Sequence, residues 1–259
     1  SKLSSSGGQL VASTFFGGAL NDGLNNSSKL TFNYADEVRG EIEIDNDNNV
    51  VVGTCTRSKD FPTLNPIQPI LSSGLEGCIF KLDRHLSNII WSTYFGGSGD
   101  DCIYSVDFNR NNDIVFGGGT TSSDLNTTPS AFQQSYNSSN ALSPDGFITT
   151  IDNNADSILF STYFGTDLYD QVFFIDVTKN DQVHVLGQTN DTSNFFIKNS
   201  TISTQKSGQF ISTLSSSLSS LIRSSAVGSG KGTPDISPTA FMVDLCNSYY
   251  LSGWGSSIN

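Results

Sequence analysis

A five-residue phrase recurs along this chain: Ser13-Thr14-Phe15-Phe16-Gly17, Ser92-Thr93-Tyr94-Phe95-Gly96, Ser161-Thr162-Tyr163-Phe164-Gly165 and the degraded Ser224-Ser225-Ala226-Val227-Gly228. The copies stand 79, 69 and 63 residues apart. Recurrence at this period marks a repeat architecture, in which each unit buries its apolar faces only by stacking on its neighbours. The phrase therefore constrains the fold before any single residue is assigned a role.

The unit is clearest in the middle of the chain. Cys102–Phe108 and Asp113–Thr120 are β-rich runs separated by the turn cluster Asn109-Arg110-Asn111-Asn112. A polar stretch follows, and then Gly146–Asp152 and Ser157–Phe164 form a second hairpin around Asn153-Asn154-Ala155-Asp156. This predicts four short antiparallel strands per unit. The second hairpin aligns through Leu3, Leu82, Ile151 and Leu214, and again through Leu10, Ile89, Ile158 and Leu221. The first aligns through Asp45, Asp107, Asp176 and Asp244, read as carboxylates closing the strand, with Gly53, Gly117, Gly187 and Gly253 ending the next.

A lone four-stranded sheet has two faces to cover and little stability of its own. Stacking such sheets radially covers both, which predicts an all-β fold of the β-propeller kind with four-stranded antiparallel blades. A two-sheet sandwich, the competing all-β arrangement, does not generate a four-strand period. The reading divides 1–259 into a half blade (1–18), whole blades (19–95, 96–165 and 166–228) and a second half blade (229–259). The halves either close a four-bladed ring or belong to an arc of a larger ring; the arc is preferred.

Thirteen basic and 25 acidic residues give a formal charge of -12, a surface that repels phosphate backbones and anionic lipid. No nucleic-acid partner and no membrane insertion are expected, since no apolar run approaches the roughly 20 residues of a spanning helix. The start, Ser1-Lys2-Leu3, has no signal-peptide character, and the only methionine is Met242. A processed product or part of a longer multidomain chain is expected. Cys55, Cys78, Cys102 and Cys246 contain no CxxC pair, which argues against structural zinc.

The run STYFGGSGDD from Ser92 to Asp101, then IYSVDFNRNNDIVFGGGTTSSD, then DGFITTIDNNADSILFSTYFG, resembles the SBBP family of bacterial β-propeller repeats. Asp60-Phe61-Pro62-Thr63 matches its hydrophobic-Pro-Thr element. The likeness is clearest over 77–165. It weakens toward the C-terminus, where Pro234 and Pro238 interrupt the approach to a strand, and the first blade carries an insertion between Gly18 and Asp36. The resemblance implies a seven-bladed ring and a secreted or cell-surface bacterial protein, in gliding bacteria often exported by type IX secretion. It implies no shared catalytic residues.

Several residues carry candidate chemistry. Asp45, Asp47 and Asn49 place oxygen ligands at alternate positions of a turn, as calcium loops do, but lack the downstream bidentate Glu; an Asx turn is the plainer reading. Asp100 and Asp101, with Asp167 and Asp170 in the matching region, offer carboxylate pairs of the kind a glycosidase uses, yet they recur with the repeat. His184 fills a strand position, and His85 lies in a turn. Cys55 ends a second strand and Cys78 begins the third, which suggests a disulfide across the 57–76 loop; Cys102 and Cys246 read as small apolar fillers. Loops 57–76, 121–145 and 190–208 share one rim, where Phe132, Tyr136, Phe195 and Phe196 are expected to stand exposed and grip a protein or glycan, unless the loops only cover blade edges. Asp156-Ser157-Ile158 resembles a bacterial O-glycosylation acceptor. Together these predict a non-catalytic extracellular module acting in adhesion, binding or spacing, with a carbohydrate-active or other hydrolytic propeller as the alternative.

Overall fold

In the computed structural model, which describes residues 1–33, 35–137 and 143–255, the chain is all-β apart from one 3-10 turn at Asp36–Val38. Three complete four-stranded antiparallel sheets follow one another. The first holds β3 (Glu41–Ile44), β4 (Val50–Thr56), β5 (Glu76–Leu82) and β6 (Ile89–Phe95). The second holds β7 (Asp101–Phe108), β8 (Ile114–Thr120), β9 (Asp145–Ile151) and β10 (Ile158–Phe164). The third holds β11 (Asp170–Val177), β12 (Val183–Thr189), β13 (Gln209–Leu214) and β14 (Leu221–Val227). Two-stranded sheets flank them: β1 (Lys2–Leu3) with β2 (Leu10–Ala12), and β15 (Ile236–Val243) with β16 (Tyr249–Gly255). No helix among the described residues is long and apolar enough to cross a membrane.

Six hairpin turns are closed by a side-chain acceptor at their first position. Asp45, Asp83, Asn109, Asp152, Ser215 and Asp244 each accept two or more backbone N–H groups from further along their own turn. Three residues later the chain turns left-handed, at Asn48, Leu86, Asn112, Ala155, Leu218 and Asn247. Asn tolerates that conformation, whereas Leu218 and Ala155 are held in it by burial in the core. This corrects the alignment of the first hairpins. The equivalents of Asp45 and Asp244 are Asn109, whose amide oxygen accepts as a carboxylate would, and Thr178, whose hydroxyl instead donates to the Gln182 carbonyl across its turn. Asp107 and Asp176 sit two residues earlier and close no turn.

Successive sheets pack face to face. Val51 and Ile79 of the first sheet meet Ile103, Val106, Phe116 and Phe147 of the second in one cluster, and Val115 and Ile148 meet Val172, Val185 and Phe210 of the third in another. Glycine permits the closest approach. A methyl on Gly53 would lie 2.5 Å from Val106, and one on Gly117 would lie 2.8 Å from Ile175.

The recurring phrase ends the fourth strand, and its residues divide the work. Phe95 packs against Phe116 and Phe147 of the next sheet. Tyr94 and Tyr163 donate their hydroxyls to the carbonyls of Ser58 and Ser122, tying the outer strand to the turn after the second strand. Thr93 and Thr162 accept the backbone N–H groups of Gln68 and Gln133, pinning the long loops along the strand edge. Leu64 bridges to Ser92 and Lys198 to Ser224 in the same way. The loops therefore blunt an edge that would otherwise present unpaired backbone groups. In the first copy the phrase follows β2 rather than lying within it, and Phe16 stacks on Phe80 at 4.0 Å.

Gly118 marks the tightest backbone approach, since a methyl there would lie 1.8 Å from the Cys102 carbonyl oxygen. Backbone yields less readily than a side chain, so Gly118→Ala is expected to cost about 3 kcal/mol in urea unfolding, whereas Gly255→Ala, which meets nothing, is expected to be neutral.

Candidate functional site

The carboxylates first considered for acid–base chemistry form a repeated clasp. Asp101, at the start of β7, accepts the Gly97 N–H at 2.8 Å, the Ser122 hydroxyl at 2.7 Å and the Thr120 hydroxyl. Asp22 accepts the Gly18 N–H at 2.8 Å and the Thr56 hydroxyl. Asp170 accepts the Thr166 N–H at 2.6 Å, and Asp235 accepts the Ser229 N–H. Thr56, Thr120 and, at the end of β12, Thr189 in turn accept the N–H groups of Ser58, Ser122 and Asp191 at 2.8–2.9 Å. A carboxylate oxygen occupies the space a side chain would need at the phrase's last residue: a methyl on Gly17, Gly96 or Gly228 would lie 2.4 Å from Asp22, Asp101 or Asp235. The glycine is thus required by the aspartate five to seven residues on. Asp100 instead accepts the Ser27 hydroxyl at 2.6 Å, and Asp167 is exposed.

A second series of acids stitches the first strands together. Glu41 on β3 accepts the Ser105 hydroxyl and the Val106 N–H on β7. Ser105 accepts the Ile175 N–H at 2.8 Å, and Asp107 accepts the Val177 N–H at 2.6 Å, both on β11. Asp176 accepts the Val243 N–H at 2.9 Å on β15. This is the role of Asp107 and Asp176. Burial raises the pKa of Glu41, Glu43 and Asp176, and pushes Asp107 up to about 7 with help from nearby Asp176 and Glu43. Burial likewise takes Asp101, Asp145 and Asp170 to about 7.

The remaining candidates are redistributed. At the calcium candidates Asp45, Asp47 and Asn49, the Asp45 carboxylate holds the Lys81 ammonium at 2.6 Å, both side chains being buried, along with the N–H groups of Asp47 and Asn49. Burial opposes ionisation of Asp45, but these partners outweigh it and hold its carboxyl below the usual range. A divalent cation would have to displace the lysine. The Cys55–Cys78 disulfide is corrected. Cys55 is opposite Gly77 and Cys78 is opposite Thr54, so the two thiols point to opposite faces of the sheet. Both are free. The loop aromatics do not stand exposed. Phe196 is 2% exposed and stacks on Phe210 at 3.9 Å; Phe132 and Phe195 pack on Phe164, and Tyr136 on Tyr163. They seal the outer part of the core.

His184 is buried, with Nδ1 3.0 Å from the Tyr249 hydroxyl and 3.1 Å from the Thr213 hydroxyl. Burial, then the charge of Arg223, lowers its pKa to about 4, so the ring is neutral at physiological pH. It borders a cavity of about 150 Å³ between the third complete sheet and β16. His85 is exposed in its turn.

Two features were not foreseen. The insertion after Gly18 is a strap: Asn25 bonds Tyr104 on β7, the Leu30 carbonyl accepts from Gln171 on β11, Asn33 exchanges hydrogen bonds with Gln188 on β12, and Arg39 donates to the Pro238 carbonyl on β15. Asp36 pairs with Arg39 at 2.7 Å, and the guanidinium lies 4.2 Å from the centre of the Phe173 ring. A polar insertion gives no sequence signal for what it will cross. The second feature is an open apolar groove of about 550 Å³ lined by Ile42, Ile44, Val50, Val52, Phe80 and Leu82. By hairpin register Ile42 is the counterpart of Val106. Val106 is 1% exposed under the preceding sheet, whereas Ile42 is 65% exposed.

No protein-family model matches this chain, and no curated protein matches it significantly. Among the described residues no group of three His, Cys, Asp or Glu side chains is arranged to hold a metal ion.

The raised carboxylates give stability a defined pH dependence. Their folded pKa values lie near 7 and their unfolded values near 4, so between these limits the folded state holds more protons than the unfolded. Stability is therefore expected to fall as pH rises from about 5 to about 7.5, read as the urea midpoint at constant ionic strength, with Asp107→Asn reducing the slope.

Proposed function

We propose that this chain is a non-catalytic β-propeller module, an arc of a larger ring in a secreted or cell-surface bacterial protein, acting in binding or as a spacer. The observation that carries the arc is the groove: Ile42 and Ile44 occupy positions that the complete sheets cover with a preceding sheet, and here only β1 and β2 stand on that side. At the other end Tyr250 and Trp254, 53% and 70% exposed, lie on a sheet of two strands. Both faces suit further blades, and the SBBP-like wording of the repeats points to a seven-bladed ring.

The non-catalytic reading rests on how the acids are used. The clasp and the first-strand stitching spend their carboxylates on backbone N–H and hydroxyl groups, and the pattern repeats from sheet to sheet. A hydrolytic site would call for one acid pair set apart from that pattern. With Phe132, Tyr136, Phe195 and Phe196 packed inward, a protein or glycan partner would meet the polar outer surface of the loops rather than these rings.

The purified chain is expected to bind cells or a glycan array without hydrolysing chromogenic polysaccharides. Turnover of any of them that Asp107→Asn abolishes would favour the carbohydrate-active alternative instead.

A further inference from the structure

The first two complete sheets bring two cysteines together that sequence order keeps apart. Gly77 and Gly53 both face β7, because a methyl on Gly77 would lie 3.0 Å from Ile103 and one on Gly53 2.7 Å from it. Cys55 is opposite Gly77 and two residues beyond Gly53 on β4, so it shares that face. The Asp101 N–H donates to the Leu75 carbonyl at 3.0 Å, which seats the start of β7 against the start of β5. Cys55 and Cys102 both fall in one apolar cluster with Leu30, Leu75, Tyr104 and Phe173, at 1% and 0% exposure. Burial first, and then the neighbouring Cys55 thiol, raise the Cys102 pKa well above its ordinary value. Cys78 belongs to a different cluster, with Phe61, Phe80 and Tyr94, and Cys246 is exposed.

We propose that Cys55 and Cys102 form a disulfide that ties the first complete sheet to the second when the chain folds in the presence of a disulfide oxidant. One cysteine thiolate attacks a sulfur of the oxidant, forming a mixed disulfide and expelling one thiolate. The other cysteine thiolate then attacks the protein sulfur of that bond and expels the second. Two protein thiols lose two protons and two electrons, and the oxidant's disulfide is reduced to two thiols, which take up those protons. Burial raises the Cys102 thiol well above its ordinary pKa and leaves no route for an oxidant, so exchange takes place before the sheets close. In the folded chain the bond, once made, is equally out of reach of reductant.

The closed loop runs from residue 55 to residue 102, long enough that the cross-link removes substantial freedom from the unfolded chain. The test is to refold the reduced, denatured chain with a mixture of oxidised and reduced glutathione. Free thiols are then alkylated in denaturant, and the protein is digested without reductant for mass mapping. The expected result is a Cys55–Cys102 linked peptide with Cys78 and Cys246 alkylated, and a melting temperature raised by about 8 °C over the reduced chain. Cys246→Ser is expected to leave the link intact, and Cys102→Ala is expected to leave Cys55 alkylated. Alkylated Cys55 and Cys102 in the refolded monomer, a Cys55–Cys78 link, or failure of the chain to refold under oxidant when it refolds under reductant would each overturn the proposal.

Discussion

The structure depends on a carboxylate at each passage from one sheet to the next, buried at Asp101 and Asp170 and half-buried at Asp22 and Asp235. Where an outer strand ends, the chain must return to begin the next first strand, leaving turn N–H groups inside the protein. Asp22, Asp101, Asp170 and Asp235 take up those donors. An unsatisfied buried donor costs on the order of 1–3 kcal/mol, so the acid at this place is a structural requirement. It imposes glycine at the end of the phrase, because the oxygen and a side chain cannot share the space. It also recruits Thr56 and Thr120 from the second strand, so one carboxylate fixes three strand ends.

The same economy governs the first strands. Each lacks a partner on its inner edge within its own sheet, and Glu41, Ser105, Asp107 and Asp176 reach across to the N–H groups of the next. Burial makes these acids hard to ionise, so their hydrogen bonds and their desolvation oppose one another. The strap then binds the second and third complete sheets to β15 through Leu30, Asn33 and Arg39. Stacking, stitching and strap leave apolar surface open at both ends, the groove at Ile42 and Ile44 and the outer face of β16.

Strand order, turn positions and the repeated four-stranded sheet were legible in the sequence because alternation and turn chemistry are local. The alignment of Asp45 with Asp107 failed because it matched a residue type, whereas the turn takes an acceptor that the amide of Asn109 also supplies. The pairing of Cys55 with Cys78 failed for a geometric reason. Neighbouring strands bring residues close, but period-two alternation decides which face each thiol takes. Loop aromatics were misjudged since hydrophilic neighbours such as Ser193 and Asn194 say nothing about the direction of Phe195 and Phe196. The strap was invisible because its contacts lie up to 199 residues away, as between Arg39 and Pro238.

Native-state hydrogen exchange on Asp101→Asn tests the carboxylate clasp most directly. Asparagine keeps the shape but replaces one acceptor oxygen with a donor, so the Gly97 N–H and the hydroxyls of Thr120 and Ser122 can no longer all be satisfied. The account predicts lost protection at the 96–101 and 120–124 turns, spreading into both β6 and β7, while β11 to β14 stay protected. Unchanged protection in β6 and β7, with any loss confined to the substituted turn, would contradict it.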